Sequence, residues 1–185
     1  GTAKMLRRDG IFIEDVVLGA SPTYRAVCKY AKEFPEITEV HPGAMAIGDV
    51  SYVNSFSNTF ETCALTVLTT VISTPTSDRA IIDAGGKTFS PDPLLHLRDK
   101  PDYFVDGTPS YGHIRNRTDL RLGRLSAEVG TIYANRNDMS VQVGDRLEIV
   151  PNNAILVFSL HDEVYGVRNS QVERIFPVTG RGKGN

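Results

Sequence analysis

A mainly β fold, a β-barrel or sandwich domain preceded by a single β/α unit, is what this sequence predicts, and three observations carry it. A strand, a tight turn and a helix are legible before Pro35. The texture then changes at Pro42-Gly43. Beyond that turn, short runs rich in Val, Ile, Leu and Thr recur at the spacing of a compact barrel or sandwich. With 185 residues the chain has room for one core of ordinary size, or for one domain with a substantial appendage.

Ile11-Phe12-Ile13 and Val16-Val17-Leu18 are apolar and partly β-branched, as in a buried strand, and they run into Gly19-Ala20-Ser21-Pro22-Thr23. Ser21 suits a helix N-cap and Pro22 the first helical position. Tyr24, Val27, Cys28, Ala31 and Phe34 then recur at helical spacing until Pro35 stops the run. Thr38-Glu39-Val40 reads as a further short strand. Ala64 to Ser73 and Arg79 to Asp83 read as sheet, the second closed by Gly85-Gly86. From 88 to 120, Pro91, Pro93, Pro101 and Pro109 argue for a long excursion of turns in which no element is placed. Strand signals return at Arg124 to Glu128, Thr131 to Tyr133, Asp145 to Val150, Ile155 to Ser159, Val164 to Arg168 and Val172 to Pro177. The glycine-rich end, Arg181 to Asn185, is expected to fray.

Composition excludes several functions. Twenty basic against 22 acidic residues leave a net charge of −2, with nothing to attract nucleic acid or an anionic membrane. No apolar run has the length of a membrane span, and the opening residues lack a signal-peptide core, so a cytoplasmic protein is expected. The two cysteines, Cys28 and Cys63, fit neither a disulfide framework nor a metal clip and are expected as buried apolar residues. None of the four histidines, His41, His96, His113 and His161, pairs at a short ligand spacing with another His, Cys or carboxylate in a known metal pattern; His161-Asp162-Glu163, the best local cluster, reads first as a turn. Walker, dinucleotide and nucleophile-elbow patterns are absent.

One turn has the form of an anion site. A strand followed by Gly-Ala-Ser-Pro-Thr and a helix directs unpaired backbone N–H groups at one point, with Gly19, Ser21 and Thr23 as the local contacts. On pattern alone an ordinary capped helix is the favoured reading. Other segments add a second line of argument. Pro151-Asn152-Asn153-Ala154-Ile155, Ile82-Asp83-Ala84-Gly85-Gly86-Lys87-Thr88-Phe89-Ser90, Tyr111-Gly112 and Leu125-Ser126-Ala127-Glu128-Val129-Gly130 together resemble the C-terminal signature of the pyridoxal-phosphate enzymes related to D-threonine aldolase and D-serine dehydratase, of the alanine racemase fold type III. In that family Gly19 to Thr23 resembles the turn that binds the cofactor phosphate, and Ala20 is a conservative departure.

The resemblance implies that residues 1–45 are the last β/α unit of an incomplete (β/α)8 barrel and residues 46–185 the β-rich C-terminal domain. A complete barrel needs roughly 250 residues, and only about forty precede the β-rich part. The Schiff-base lysine, on the family's first barrel strand, is therefore not in this chain, and the catalytic residues stay unassigned; Lys87 reads as a solvated or salt-bridged loop residue. The family's metal ligands, His and Cys or Asp, fall at positions held here by Asn153 and Ile155, so no divalent metal is expected there. Met45 and Val129 replace an aromatic and a His of the family pattern. Asp49 matches, with a turn or cap role as its plain reading. The expectation is a portion of a lyase of D-amino acid metabolism, binding pyridoxal phosphate and a small D-amino acid, completed by a second chain or by self-association. The alternative is a non-catalytic binding or scaffold module that kept the fold and lost the metal site.

Overall fold

The structure is a computed structural model, and it describes all residues except Ala20, Pro101, Asp102, Asp106, Asn137, Gly184 and Asn185, together with the side chains of Leu95, Phe104 and Val105. In chain order the described elements are α1 (Thr2–Arg8), β1 (Val17–Leu18), α2 (Tyr24–Tyr30), β2 (Glu39–Val40), α3 (Val50–Asn54), β3 (Val67–Thr76) and β4 (Arg79–Ile82). Then come α4 (Gly86–Phe89), β5 (Phe104–Val105), β6 (Thr108–Pro109), β7 (Gly112–Ile114), β8 (Leu120–Leu125), β9 (Gly130–Ala134), β10 (Arg146–Pro151), α5 (Ala154–Leu160), β11 (Glu163–Arg168) and β12 (Gln171–Pro177).

The mainly β expectation holds. Six strands form one antiparallel sheet in the order β7-β10-β3-β4-β9-β8. The Tyr111 N–H, one residue before β7, donates to the Leu122 carbonyl on β8 at 2.9 Å, so the two ends of the sheet curl towards closure. A nearly closed sheet limits its free edges. Its interior is packed by Val71, Ile82, Leu122, Ile132 and Ile149, with Phe89 of α4 added. Residues of alternate parity face opposite sides of a strand, so Ile149 points into the barrel and Val150 out of it. On that outer side Val150 joins Val50 of α3, Cys63, Leu94 and Leu97 in a second buried cluster. Through this cluster α3 is fixed against the barrel wall.

Three close approaches require glycine. A Cβ at Gly112 would lie 2.8 Å from Ile149 Cγ2, at Gly130 2.7 Å from the Ala84 carbonyl oxygen, and at Gly85 2.5 Å from the Ser126 carbonyl oxygen. Each marks a place where two backbones must touch for the barrel to close.

The front unit also appears, though shorter than expected. β1 and β2 pair in parallel, Val17 with Glu39 and Leu18 with Val40, with α2 between them. The helix expected to Phe34 ends at Tyr30 and tightens into a 3₁₀ turn over Ala31–Glu33 before Pro35. Several expectations are corrected. Ile11 to Ile13 form no strand, and α1 precedes them. Ile155 to Ser159 lie in helix α5, not in a strand. Cys63 is buried as expected, whereas Cys28 is exposed. The excursion from 88 to 120 contains β5, β6 and β7. Among the described residues, no helix is long and apolar enough to cross a membrane.

Candidate functional site

The turn after β1 is where the sequence places an anion. Gly19 and Thr23 stand exposed, and nothing lies within 4 Å of a Cβ built on Gly19, so backbone is open to a ligand there. Ser21 is different, with only 5% of its surface exposed. It does not cap α2 as expected, because a 3₁₀ turn over Ser21–Thr23 comes first. Its Oγ instead accepts the Gly43 N–H at 3.0 Å. Its carbonyl accepts the hydroxyl of Ser57 at 3.2 Å. Ala20 lies outside the described residues. The structure thus keeps Gly19, Ser21 and Thr23 in one turn and locks the middle one from behind.

The second part of the site is the start of α5. Asn152 is 1% exposed, and its amide donates to the Asp92 carbonyl at 2.8 Å and to the Ser110 carbonyl at 2.7 Å. Asn153 is the N-cap of α5, its Oδ1 accepting the Leu156 N–H at 3.3 Å. The Asn153 amide donates to Asp92 Oδ2 at 3.2 Å. Asp49, 1% exposed, has one carboxylate oxygen on the Tyr52 N–H at 2.9 Å, capping α3, and the other on the Ala154 N–H at 2.9 Å. Burial is the largest influence on this carboxyl and pushes its pKa up; the N–H donors of Ala154, Tyr52 and Ser51 oppose that, and the charge of Asp92 adds to it.

These contacts bear on the metal that the family resemblance implies. The donor set does not fit a divalent cation. Asn153 has spent its carbonyl on the helix cap and its amide on Asp92. Ile155 is 54% exposed and has no ligand atom. Among the described residues, no group of three or more His, Cys, Asp or Glu side chains could hold a metal.

Both parts hang on α3. Asp49 precedes that helix and reaches α5, while Ser57 follows it and reaches Ser21. Five residues of α-helix span about 7.5 Å, so the turn after β1 and the start of α5 are tied to the two ends of one short strut.

The other singled-out residues take structural roles. Lys87 pairs with Glu128 at the surface, and Gly86 and Lys87 donate backbone bonds to Ser126 and Ala127, clasping the two loops. Asp83 accepts from the Thr69 hydroxyl and the Thr70 N–H; burial would raise its pKa, but those bonds win and lower it. His161 ends α5 and contacts the Thr88 carbonyl at 3.3 Å. His113 stacks on Phe60 at 3.6 Å, and its pKa is lowered by burial first and by Arg115 second. The Met45 carbonyl accepts from Asn58, and Val129 sits at the Gly85 contact. Sequence reasoning missed Ser57 and Asp92. For Asp92 a signal existed, since an Asp between two prolines fixes its backbone in an extended turn. Ser57 offered none.

Comparison with known proteins places the chain. The family model described as "putative serine dehydratase domain" matches residues 64–167. A 3-hydroxy-D-aspartate aldolase of Paracoccus denitrificans is 35% identical over 121 residues, 65% of this chain and 27% of that protein. A D-threonine aldolase of Arthrobacter sp. is 27% identical over 183 residues, 97% of this chain and 43% of that protein. The solved structure of D-threo-3-hydroxyaspartate dehydratase from Delftia sp. HT23 superposes with a TM-score of 0.80 at 24% identity, covering 97% of this chain and 48% of that one. The chain therefore spans less than half the length of these proteins.

Proposed function

This chain belongs to the "putative serine dehydratase domain" family, and from that premise we propose that it is the C-terminal portion of a pyridoxal-phosphate-dependent lyase acting on small D-amino acids. On this reading β1, α2 and β2 are the last unit of a (β/α)8 barrel, and a second chain, or association with further copies, supplies the rest. The observation that carries the proposal is the buried bracing of Ser21 within an otherwise open turn, in a chain whose relatives are named as aldolases and a dehydratase of D-hydroxy-amino acids.

Gly19, Ser21 and Thr23 would hold the cofactor phosphate through backbone N–H groups and hydroxyls. Bound there, pyridoxal phosphate would supply an electron sink for bond cleavage next to the substrate's amino group. The lysine that carries the cofactor's aldehyde would come from the completing chain. Asp49 and Asn153 keep α5 seated on the barrel beside the site, and they do so by hydrogen bonds.

A second reading has its own support. Because Asn153 and Ile155 offer no metal donor set, a reaction that needs a metal at the substrate's β-hydroxyl is not served at that position, which favours a non-catalytic binding or scaffold module. The intact mass of every polypeptide in material purified from the natural source, under denaturing conditions, separates the readings. A second or longer species containing the early barrel strands, together with cleavage of D-threonine or D-serine on adding the cofactor, is the expected result. This chain alone, with no cofactor-dependent turnover, would leave the binding module as the function.

A further inference from the structure

We propose that Ser57 is a positioning residue for phosphate at Ser21: with Gly43 it fixes the place of the Ser21 backbone and hydroxyl in the turn. The inference rests on the phosphate reading of the turn after β1 and extends it to a residue outside that turn.

A serine hydroxyl donates one hydrogen bond and accepts up to two. At Ser21 one of the two accepting positions is taken, because the Gly43 N–H points at Oγ from 3.0 Å. Among the described residues no acceptor is recorded for the Ser21 O–H itself. A hydroxyl held in this way keeps its proton available for an anion. Gly43 can hold Oγ only while the Ser21 backbone stays in register, and that register is set by Ser57. The Ser57 hydroxyl, 2% exposed, donates to the Ser21 carbonyl at 3.2 Å. Ser55 Oγ lies 3.4 Å from Ser57 Oγ and 3.2 Å from the Tyr52 carbonyl, continuing the polar contacts back to α3.

The backbone shows how Ser57 is aimed. Phe56 has φ of 60° and its side chain is 84% exposed. A bulky residue in the left-handed region is uncommon and costs energy. That turn reverses the chain after α3 and puts Ser57 inward, with its N–H on the Tyr52 carbonyl at 2.9 Å. Ser57 lies 36 positions from Ser21 in sequence and meets it at the backbone carbonyl, not at the hydroxyl. Its effect on binding must therefore pass through Ser21.

Binding of pyridoxal 5′-phosphate and of inorganic phosphate to the full chain, measured by isothermal titration alongside Tm, tests this. Ser21→Ala should weaken both probes strongly. Ser57→Ala should weaken both by about tenfold, the scale of one lost hydrogen bond, while Ser57→Thr, which keeps the hydroxyl, binds much more like the original chain. A second readout needs no variant: in ¹⁵N–¹H spectra, saturating phosphate should move the Gly43 amide resonance, whose hydrogen bond ends on Ser21 Oγ. Tight binding in Ser57→Ala, or an unmoved Gly43 amide at phosphate saturation, overturns the positioning role and leaves the phosphate site standing. Failure of the original chain to bind either probe overturns the phosphate reading, and the role of Ser57 falls with it.

Discussion

Asp49 shows how much one short side chain can join. Its two carboxylate oxygens cap α3 and receive the Ala154 N–H from 105 positions away, so a turn residue becomes a tie between the front of the chain and α5. The local half of this was legible, since an Asp after a glycine turn suits a cap. The distant half was not, because no sequence pattern encodes a pairing across the fold. The same holds for Ser57 and for Asn152, whose partners are backbone carbonyls on other loops. Burial leaves the Asp49 pKa above its ordinary value. A carboxyl with a raised folded-state pKa favours the native state when protonated, and that contribution is lost as pH rises through the raised value. Urea unfolding of the original chain and of Asp49→Asn across pH 4 to 7 should give a stability difference, original minus variant, that shrinks as pH rises. A difference that grows with pH would reverse the assigned direction.

At the scale of elements, β3, β4, β9, β10, β11 and β12 were visible because each alternates or carries β-branched residues over several positions. β5, β6 and β7 were not; they are two or three residues long, lie among prolines, and exist only through their partners. The instructive miss is α5. Ile155-Leu156-Val157-Phe158 has the composition of a buried strand, and a short apolar run cannot be told from a helix by periodicity. The signal that decides it is Asn153, an N-cap residue whose carbonyl takes the Leu156 N–H, with Asp49 satisfying the Ala154 N–H. Caps of this kind contribute about 1 kcal/mol. Asn153→Ala should lower the urea midpoint accordingly, and Asn153→Ser, which retains an acceptor, should recover part of the loss. Equal midpoints for all three proteins would mean that α5 is held by the Asp49 bond and the packing of Ala154 and Val157 without help from the Asn153 cap.

For the whole molecule the question is what covers two of its two-stranded sheets, β1–β2 and β11–β12. Parallel strands are characteristically buried on both faces, because their pairing alone is weak. Here β1 and β2 stand as a pair, both residues of β1 are exposed, and α2 buries none of its residues. Phe12 is 85% exposed and Phe34 49% exposed on the same unit. The β11–β12 hairpin likewise leaves Tyr165, Ile175, Val167 and Val172 at least half exposed; the register places Tyr165 opposite Ile175 and Val167 opposite Val172, so these four share a face. A two-stranded sheet is marginal in water by itself. The six-stranded barrel has no such need, since its apolar face is already inside. These contrasts make the front unit and the hairpin the surfaces on which the proposed completion is to be tested. In solution the chain without a partner should therefore run above the mass of one chain by light scattering, increasingly so with concentration. Replacing Phe12 and Val17 by Ser should reduce that association while leaving the urea midpoint of the barrel in place. A chain that stays monomeric at the highest soluble concentration, with its β1 and β2 amides protected from hydrogen exchange as well as those of β9, would show that the parallel pair is stable uncovered and that no completing partner is required.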